Sequence, residues 1–321
     1  MVYKSTNKRP LGKNEAPMEQ IMKISLIICT HNPREDYLNR TLQSLKEQSL
    51  PMDQWELLLI DNASNVLLSE KWDLSWHPNA SHIRENNPGL TNARIRSINE
   101  AKAQLLVYVD DDNILESTYL EETLRISNDW NILGAWGGQQ FPEFENGEPL
   151  EHWKQEFWTG KLDRDIWSNN YDREAAPVGM GLCIRKIVAK HYLKVVGSHK
   201  IRVKLDRTGK GLNSGGDIDL AYCACDLNLG IARFKSLSLI HLIPANRVTD
   251  DYLYRLCEGF GYSQTILKAL RGKYPVIPSR IDLFVNRYKS IRAKNKPSIQ
   301  ASAWTKGMER AVKTLQSEGL I

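Results

Sequence analysis

Apolar residues in the first hundred positions switch repeatedly between continuous runs and helical spacing, and the switches predict an alternating order of strands and helices. Ile24-Ser25-Leu26-Ile27-Ile28-Cys29 is a nearly unbroken apolar run, the pattern of a parallel strand covered on both faces. Polar Thr30, His31 and Asn32 follow at its carboxyl end. A helix is predicted next, with Asn32 as its cap, Pro33 at the first helical position and Glu35 where a capping box takes an acid. Leu38, Leu42 and Leu45 give that helix one apolar stripe. A second strand, Leu57 to Ile60, runs into Asp61-Asn62, and a short third strand is expected around Ile83. Another helix spans about Thr91 to Ala103 and leads to the strand Leu105 to Val109, which stops at Asp110, Asp111 and Asp112.

This alternation implies an α/β fold, a mostly parallel sheet with helices on both faces joined by right-handed crossovers. Ligands of such sheets bind beyond the carboxyl ends of the strands. Thr30 and His31, Asp61 and Asn62, and Asp110 to Asp112 all fall there. Any one of them alone reads as a turn or cap residue, because Asn and Asp close turns with their own side chains. Their convergence favours a site. Three adjacent carboxylates repel one another and must be hydrated, paired or bound to a cation, which points to a divalent ion holding phosphates. The first strand is followed by neither Gly-x-Gly-x-x-Gly nor a Walker-type Gly-Lys-Ser/Thr, so phosphates lack a glycine cradle and need positive charge from elsewhere.

Composition narrows the class. With 321 residues, 41% hydrophobic and 25% charged, the chain can bury one large core or two smaller ones. No apolar stretch reaches the roughly 18 to 20 residues that span a bilayer, and residues 1–20 read as a flexible polar leader, so a cytoplasmic protein is expected. Five unevenly spaced cysteines do not read as a disulfide framework, and Cys223 and Cys225 read as buried helical thiols rather than half of a zinc site. The net charge of +5 is concentrated: from Lys268 to Lys313 twelve Lys or Arg face only Asp282 and Glu309. That stretch is a solvated face by default, or a contact for anionic lipid head groups. Its aromatic residues are widely spaced, so no stacking platform for single strands is evident and no nucleic acid is expected.

Four ordered segments carry a specific resemblance. Ile24 to Asn32, Leu59 to Ser64, Asn86 to Arg94 and the Asp110 cluster resemble the signatures of family-2 glycosyltransferases, and the likeness extends over roughly Lys23 to Ile243. It implies the GT-A fold, a Rossmann-like mixed sheet flanked by helices. Residues 21–245 would form the catalytic domain, with a donor half at about 21–113 and an acceptor half at about 114–245. Residues 246–321 would add a helical, basic C-terminal region. By the same resemblance Thr30 and Asp61 hold the base and ribose of the nucleotide, Asp110 reaches the ribose and Asp112 the metal. Alternation along an extended chain sends Asp111 to the opposite side, which makes it the donor-side acid expected to tolerate change best. Arg94 either approaches the diphosphate or is a solvent-facing helical arginine.

The resemblance also assigns the acceptor side. Gly134 to Gly138 reads as a close-packed strand, and Ala176 to Arg185 resembles the segment lining the acceptor pocket, where Gly179 and Gly181 permit close backbone approach. Trp153, Trp158 and Trp167 either pack or stack on sugar faces. Asn213 to Leu220 resembles the family's Gly-Glu-Asp motif, but Gly216 stands where an acid is common. Asp217 then aligns as the catalytic base, with Asp219 the alternative; about 200° apart on a helix, the two cannot share one site. His241 resembles an additional metal ligand, and Arg247 and Arg255 offer guanidinium groups to a diphosphate.

The implied activity is inverting transfer of a sugar, foremost a UDP-hexose, from a nucleotide-sugar donor to a saccharide or lipid-linked hydroxyl. Mn2+ or Mg2+ would be the cofactor, and polysaccharide or glycoconjugate synthesis the setting, in the cytoplasm or at the inner membrane face. A sugar-phosphate nucleotidyltransferase would need a glycine-rich basic loop where Thr30-His31-Asn32-Pro33-Arg34 stands. A non-enzymatic basic adaptor on membrane or nucleic acid would leave the spaced acids unexplained.

Overall fold

The computed structural model describes residues 22–148, 160–207, 211–275, 285 and 296–321. The leader and two of the tryptophans singled out above, Trp153 and Trp158, lie outside them.

The apolar runs form the strands they predict. Strands β1 (Ile24–Thr30), β2 (Trp55–Asn62), β3 (Ala80–Glu85) and β4 (Leu105–Tyr108) are mutually parallel in the order β3-β2-β1-β4. β1 and β2 are buried almost throughout because both their faces are covered, which is why they carry no polar alternation. Helices α1 (Glu35–Lys46) and α2 (Leu90–Glu100) supply the crossovers. Leu38 and Leu45 of α1 are fully buried against Ile24, Leu26 and Ile28, the stripe read from their spacing. The predicted cap of α1 is different, however. Asn32 adopts φ +49°, its side-chain oxygen accepts from the Asn65 amide, and the helix begins three residues later, at Glu35, after an extended Arg34. Asn32 thus joins two strand-end loops instead of capping a helix.

After β4 the sheet becomes mixed. A short strand β5 (Asn113–Leu115) and helix α3 (Tyr119–Asp129) precede the long strand β6 (Leu133–Phe144). Then come β7 (Ile166–Ser168), β8 (Leu182–Arg185), helix α4 (Lys186–Ser198), helix α5 (Gly216–Asp226) and the fourteen-residue strand β9 (Gly230–Ile243). The order continues β4-β8-β6-β9-β5, with β8 antiparallel to both its neighbours, β6 parallel to β9, and β7 on β9. Between Gly138 and Gln139 the β6–β9 register jumps from Phe234 to Ser238. A Cβ on Gly138 would lie 2.0 Å from the Leu237 carbonyl oxygen, so only glycine lets this bulge close. Gly181 is similarly fixed, at φ +72° with its carbonyl accepting from the Tyr119 hydroxyl at 2.7 Å.

Two apolar clusters cover the two faces of this sheet. One includes Ile27, Leu58, Tyr108, Tyr192 and Leu220, the other Leu26, Leu59, Val107, Trp55 and Trp136. Helices α6 (Asp250–Ala269) and α7 (Lys296–Ser317) pack on each other beyond β9. Gly261 and Gly307 permit their close approach, since an added Cβ at either would meet the facing backbone within 2.3 Å. Of the basic residues in this region, Lys306 and Arg310 are ion-paired to Glu258 of α6. None of the described helices is long and apolar enough to cross a membrane. None of the five cysteines is in a disulfide, and burial pushes the Cys29 thiol up to about 12 and Cys225 to about 11.

Candidate active site

Strand register brings the polar ends together. Thr30 stands directly opposite Asp61 in the β1–β2 pair, and Asp61 opposite Arg84 in β2–β3. The carboxylates after β4 sit in a turn closed by the Asn113 amide on the Asp110 carbonyl (3.2 Å), with the Asp110 amide donating to Asn113 Oδ1 (3.0 Å). Extended-chain alternation therefore does not apply to them. Asp111, expected to point away, instead accepts a short hydrogen bond from the Thr30 hydroxyl at the end of β1.

A second approach comes through β9. Asn113 pairs with His241 across the antiparallel β5–β9 ladder, and the Leu242 amide donates to the Asp112 carbonyl (2.8 Å). This places His241 Nε2 3.6 Å from Asp112 Oδ2. Arg247, on the turn Ala245–Val248 that follows, sets Nη1 2.9 Å from the same oxygen. Residues 135 positions apart thus meet at one carboxylate.

Charge is unevenly compensated here. Burial raises the Asp112 carboxyl, but the adjacent His241 and Arg247 overcome it and hold the group at about 2. Burial and Asp112 push Asp110 up to about 6 and Asp111 to about 7. Arg94 and His241 partly offset the rise at Asp110, and Thr30 that at Asp111. The turn therefore holds more negative charge than its neighbours neutralise. An oxygen and an imidazole nitrogen 3.6 Å apart beside two further carboxylates are a donor set that suits a hard divalent cation. The Arg247 guanidinium supplies part of that positive charge in this structure.

Asp217, second residue of α5, faces the same region. Its Oδ2 accepts from the Gly179 amide at 2.7 Å and its Oδ1 from the Ile218 amide at 2.8 Å. Asp217 is among the main electrostatic influences on Asp110 and Arg94; Asp219 points elsewhere. Its side chain is wholly buried, with Oδ1 2.5 Å from Arg202 Nη1 and 2.8 Å from Arg271 Nη2. Among the two alternatives for a base, Asp219 is a core ion-pair residue turned away by helix geometry, as the rotation between positions 217 and 219 requires.

One other expectation needs revision. Arg94 is neither solvent-facing nor free for a phosphate: it is 6% exposed, with Nη1 2.8 and 3.0 Å from the two carboxyl oxygens of Asp206. Asp61 is engaged as well, accepting from the Ser64 and Leu68 amides and from Arg84 Nη1 (2.6 Å), which together hold its carboxyl below the usual range despite burial. Arg84, Thr91 and Asp206 were not singled out from sequence. Arg84 had a signal, its position opposite Asp61 in neighbouring strands; Asp206 follows the irregular turn Lys200–Leu205 and had none. Trp167 is half exposed and tilted against Trp130, with ring centroids 6.4 Å apart.

Residues 25–181 match the family model described as glycosyl transferase family 2. The chain carries a family-2 glycosyltransferase domain. EpsH of Bacillus subtilis (strain 168) is 24% identical over 165 residues, 47% of this chain and 47% of that protein. The poly(ribitol-phosphate) beta-N-acetylglucosaminyltransferase TarS of Staphylococcus aureus (strain Mu50 / ATCC 700699) is 26% identical over 105 residues, 32% of this chain and 18% of that protein. The match thus spans about half or less of these curated relatives. The crystal structure of S. aureus TarS 1-349 in complex with UDP-GlcNAc superposes with a TM-score of 0.55 at 15% identity, covering 91% of this chain and 81% of that one. That of GalNAc-T7 with UDP, GalNAc and Mn2+ gives 0.52 at 17% identity, over 84% and 55%. The GT-A architecture expected of the glycosyltransferase domain is therefore the one observed.

Two outcomes follow for the glycosyltransferase domain. Asp219→Asn leaves Arg202 and Arg271 short of their buried partner, and urea unfolding should show a loss of about 3 to 5 kcal/mol; a loss under about 1 kcal/mol would contradict the buried pairing. Asp111 has a folded-state carboxyl raised to about 7 from an ordinary 3.8, so ionising it costs folding stability as pH rises through that interval. In cation-free buffer Asp111→Asn should raise the melting temperature at about pH 8 and lose most of that advantage near pH 4, where the folded wild-type carboxyl is protonated and the unfolded one is about half protonated. Equal gains at both pH values would count against the crowding.

Proposed function

We propose that the protein is a divalent-cation-dependent inverting glycosyltransferase that moves a hexose from a UDP donor to a hydroxyl acceptor in polysaccharide or glycoconjugate synthesis. The observation that carries this reading is the convergence of Asp112, His241 and Arg247 with Asp217 near enough to bear on the adjoining Asp110. The family-2 domain and the UDP-GlcNAc complex of TarS support the donor class.

Thr30 and Asp61, opposite each other at the strand ends, lie on the nucleoside side, with Asp110 toward the ribose. Asp111 shapes that side through Thr30. Asp112 and His241 would hold Mn2+ or Mg2+, which when bound offsets the charge of the diphosphate. Arg247 turns its guanidinium from Asp112 to the leaving phosphate oxygens, which its planar fork matches. Asp217, oriented by the Gly179 amide, takes the proton of the acceptor hydroxyl as its oxygen attacks the anomeric carbon from the face opposite the leaving group. The acceptor is a saccharide or a lipid-linked hydroxyl, and the basic stretch of residues 268–313 rests on anionic lipid.

A panel of nucleotide sugars, assayed for hydrolysis and for thermal stabilisation with and without Mn2+ or Mg2+, tests the donor and the cation together. Asp217→Asn should keep metal-dependent UDP binding in calorimetry while turnover falls by roughly 10² to 10⁴. Asp112→Asn should weaken that binding itself. Retained turnover in the first variant, or undiminished metal-dependent affinity in the second, overturns the corresponding role.

A further inference from the structure

Position 216 carries no side chain, and the space one would take is filled from another segment. A Cβ built on Gly216 would lie 2.3 to 2.5 Å from the carboxyl atoms of Asp206. The Asp206 carboxylate therefore stands where a side chain at 216 would project. It is 4% exposed, accepts from the Thr91 hydroxyl at 2.6 Å, and receives Arg94 Nη1 on both oxygens. Arg94 Nη2 reaches toward Gly179, 3.6 Å from the position a Cβ there would occupy, and Gly179 is the residue whose amide holds Asp217. On its other side the charge of Arg94 bears on Asp110.

We infer that Asp206 is a positioning residue for sugar transfer: its carboxylate, filling the space beside Gly216, fixes Arg94 next to the segment that holds Asp217. The inference rests on reading Asp217 as the base. A buried guanidinium keeps its charge and seeks a carboxylate. Held by Asp206, which Thr91 anchors in turn, Arg94 stays off Asp217; released, it has Asp217 and Asp110 as alternatives. An ion pair with Arg94 would occupy the carboxylate oxygen that must accept the acceptor's proton. Loss of Asp206 should then act on turnover more than on donor binding.

The test compares kcat and KM for UDP-sugar turnover in wild type, Asp206→Asn, Asp206→Ala, Gly216→Asp and the double variant Asp206→Ala/Gly216→Asp, with UDP-induced thermal stabilisation recorded for each. A wild type that turns over no nucleotide sugar and gains no stability from UDP defeats the proposed function itself, a failure distinct from that of this inference. With an active wild type, Asp206→Asn, which is isosteric and keeps the Thr91 bond, should lower kcat at least about tenfold with KM changed less than about threefold. Gly216→Asp alone should also be impaired, because its carboxylate collides with Asp206. The double variant should exceed both Ala and Asp singles, since one carboxylate then faces Arg94 from the other position. Asp206→Asn with wild-type kcat overturns the inference. So does a double variant that is stabilised by UDP yet no more active than its worse parent. Should the Ala variants fail to fold, Asp206→Asn alone decides.

Discussion

Negative charge gathered at the carboxyl end of a parallel sheet is the constraint on which the rest of the site depends. The three carboxylates after β4 cannot separate, because a tight turn closed on Asn113 holds them. Of the three, only Asp112 has cationic partners at contact distance among the described residues; Asp110 and Asp111 are pushed toward neutrality by burial and by their neighbour. The surrounding elements respond to this imbalance. β9 presents His241, the turn after it presents Arg247, β1 ends in the hydroxyl of Thr30, and α2 sends Arg94 in from beneath.

Much of this was legible in the sequence where local pattern controls structure. Continuous apolar runs placed β1, β2 and β4, and the spacing of Leu38, Leu42 and Leu45 placed the buried face of α1. The polar residues just past those strands could be named for the same reason. The errors have a common cause in tertiary pairing. Asn32 suited a helix cap by composition, but a loop from β2 claimed its side chain. Asp111 was assigned by alternation along a strand that had already ended in a turn. Arg94 carried no sign of a partner 112 positions away, and Asp206 lies in a segment with no periodicity to mark it.

The two acids of α5 show how little sequence separation says about environment. Asp217 is oriented by a backbone amide at a partly exposed helix start, whereas Asp219, one residue beyond Ile218, closes a buried pair with two arginines from different segments. One anchors the helix in the core while the other faces outward from it. The anchoring charge and the one proposed as the base are thus carried on the same turn, so the orientation of Asp217 depends on the stability of the pair behind it.

β5 has a consequence for how this chain can vary. It is only three residues long, and its pairing with β9 sets Asn113 against His241, Ile114 against Ile240 and Leu115 against Leu239. A slip of one residue would set Ile240 or Leu242 against Asn113 and remove the imidazole from Asp112. The turn of carboxylates and the last third of β9 therefore form a stretch where a one-residue insertion or deletion would break the site even though many side-chain substitutions would leave the register intact.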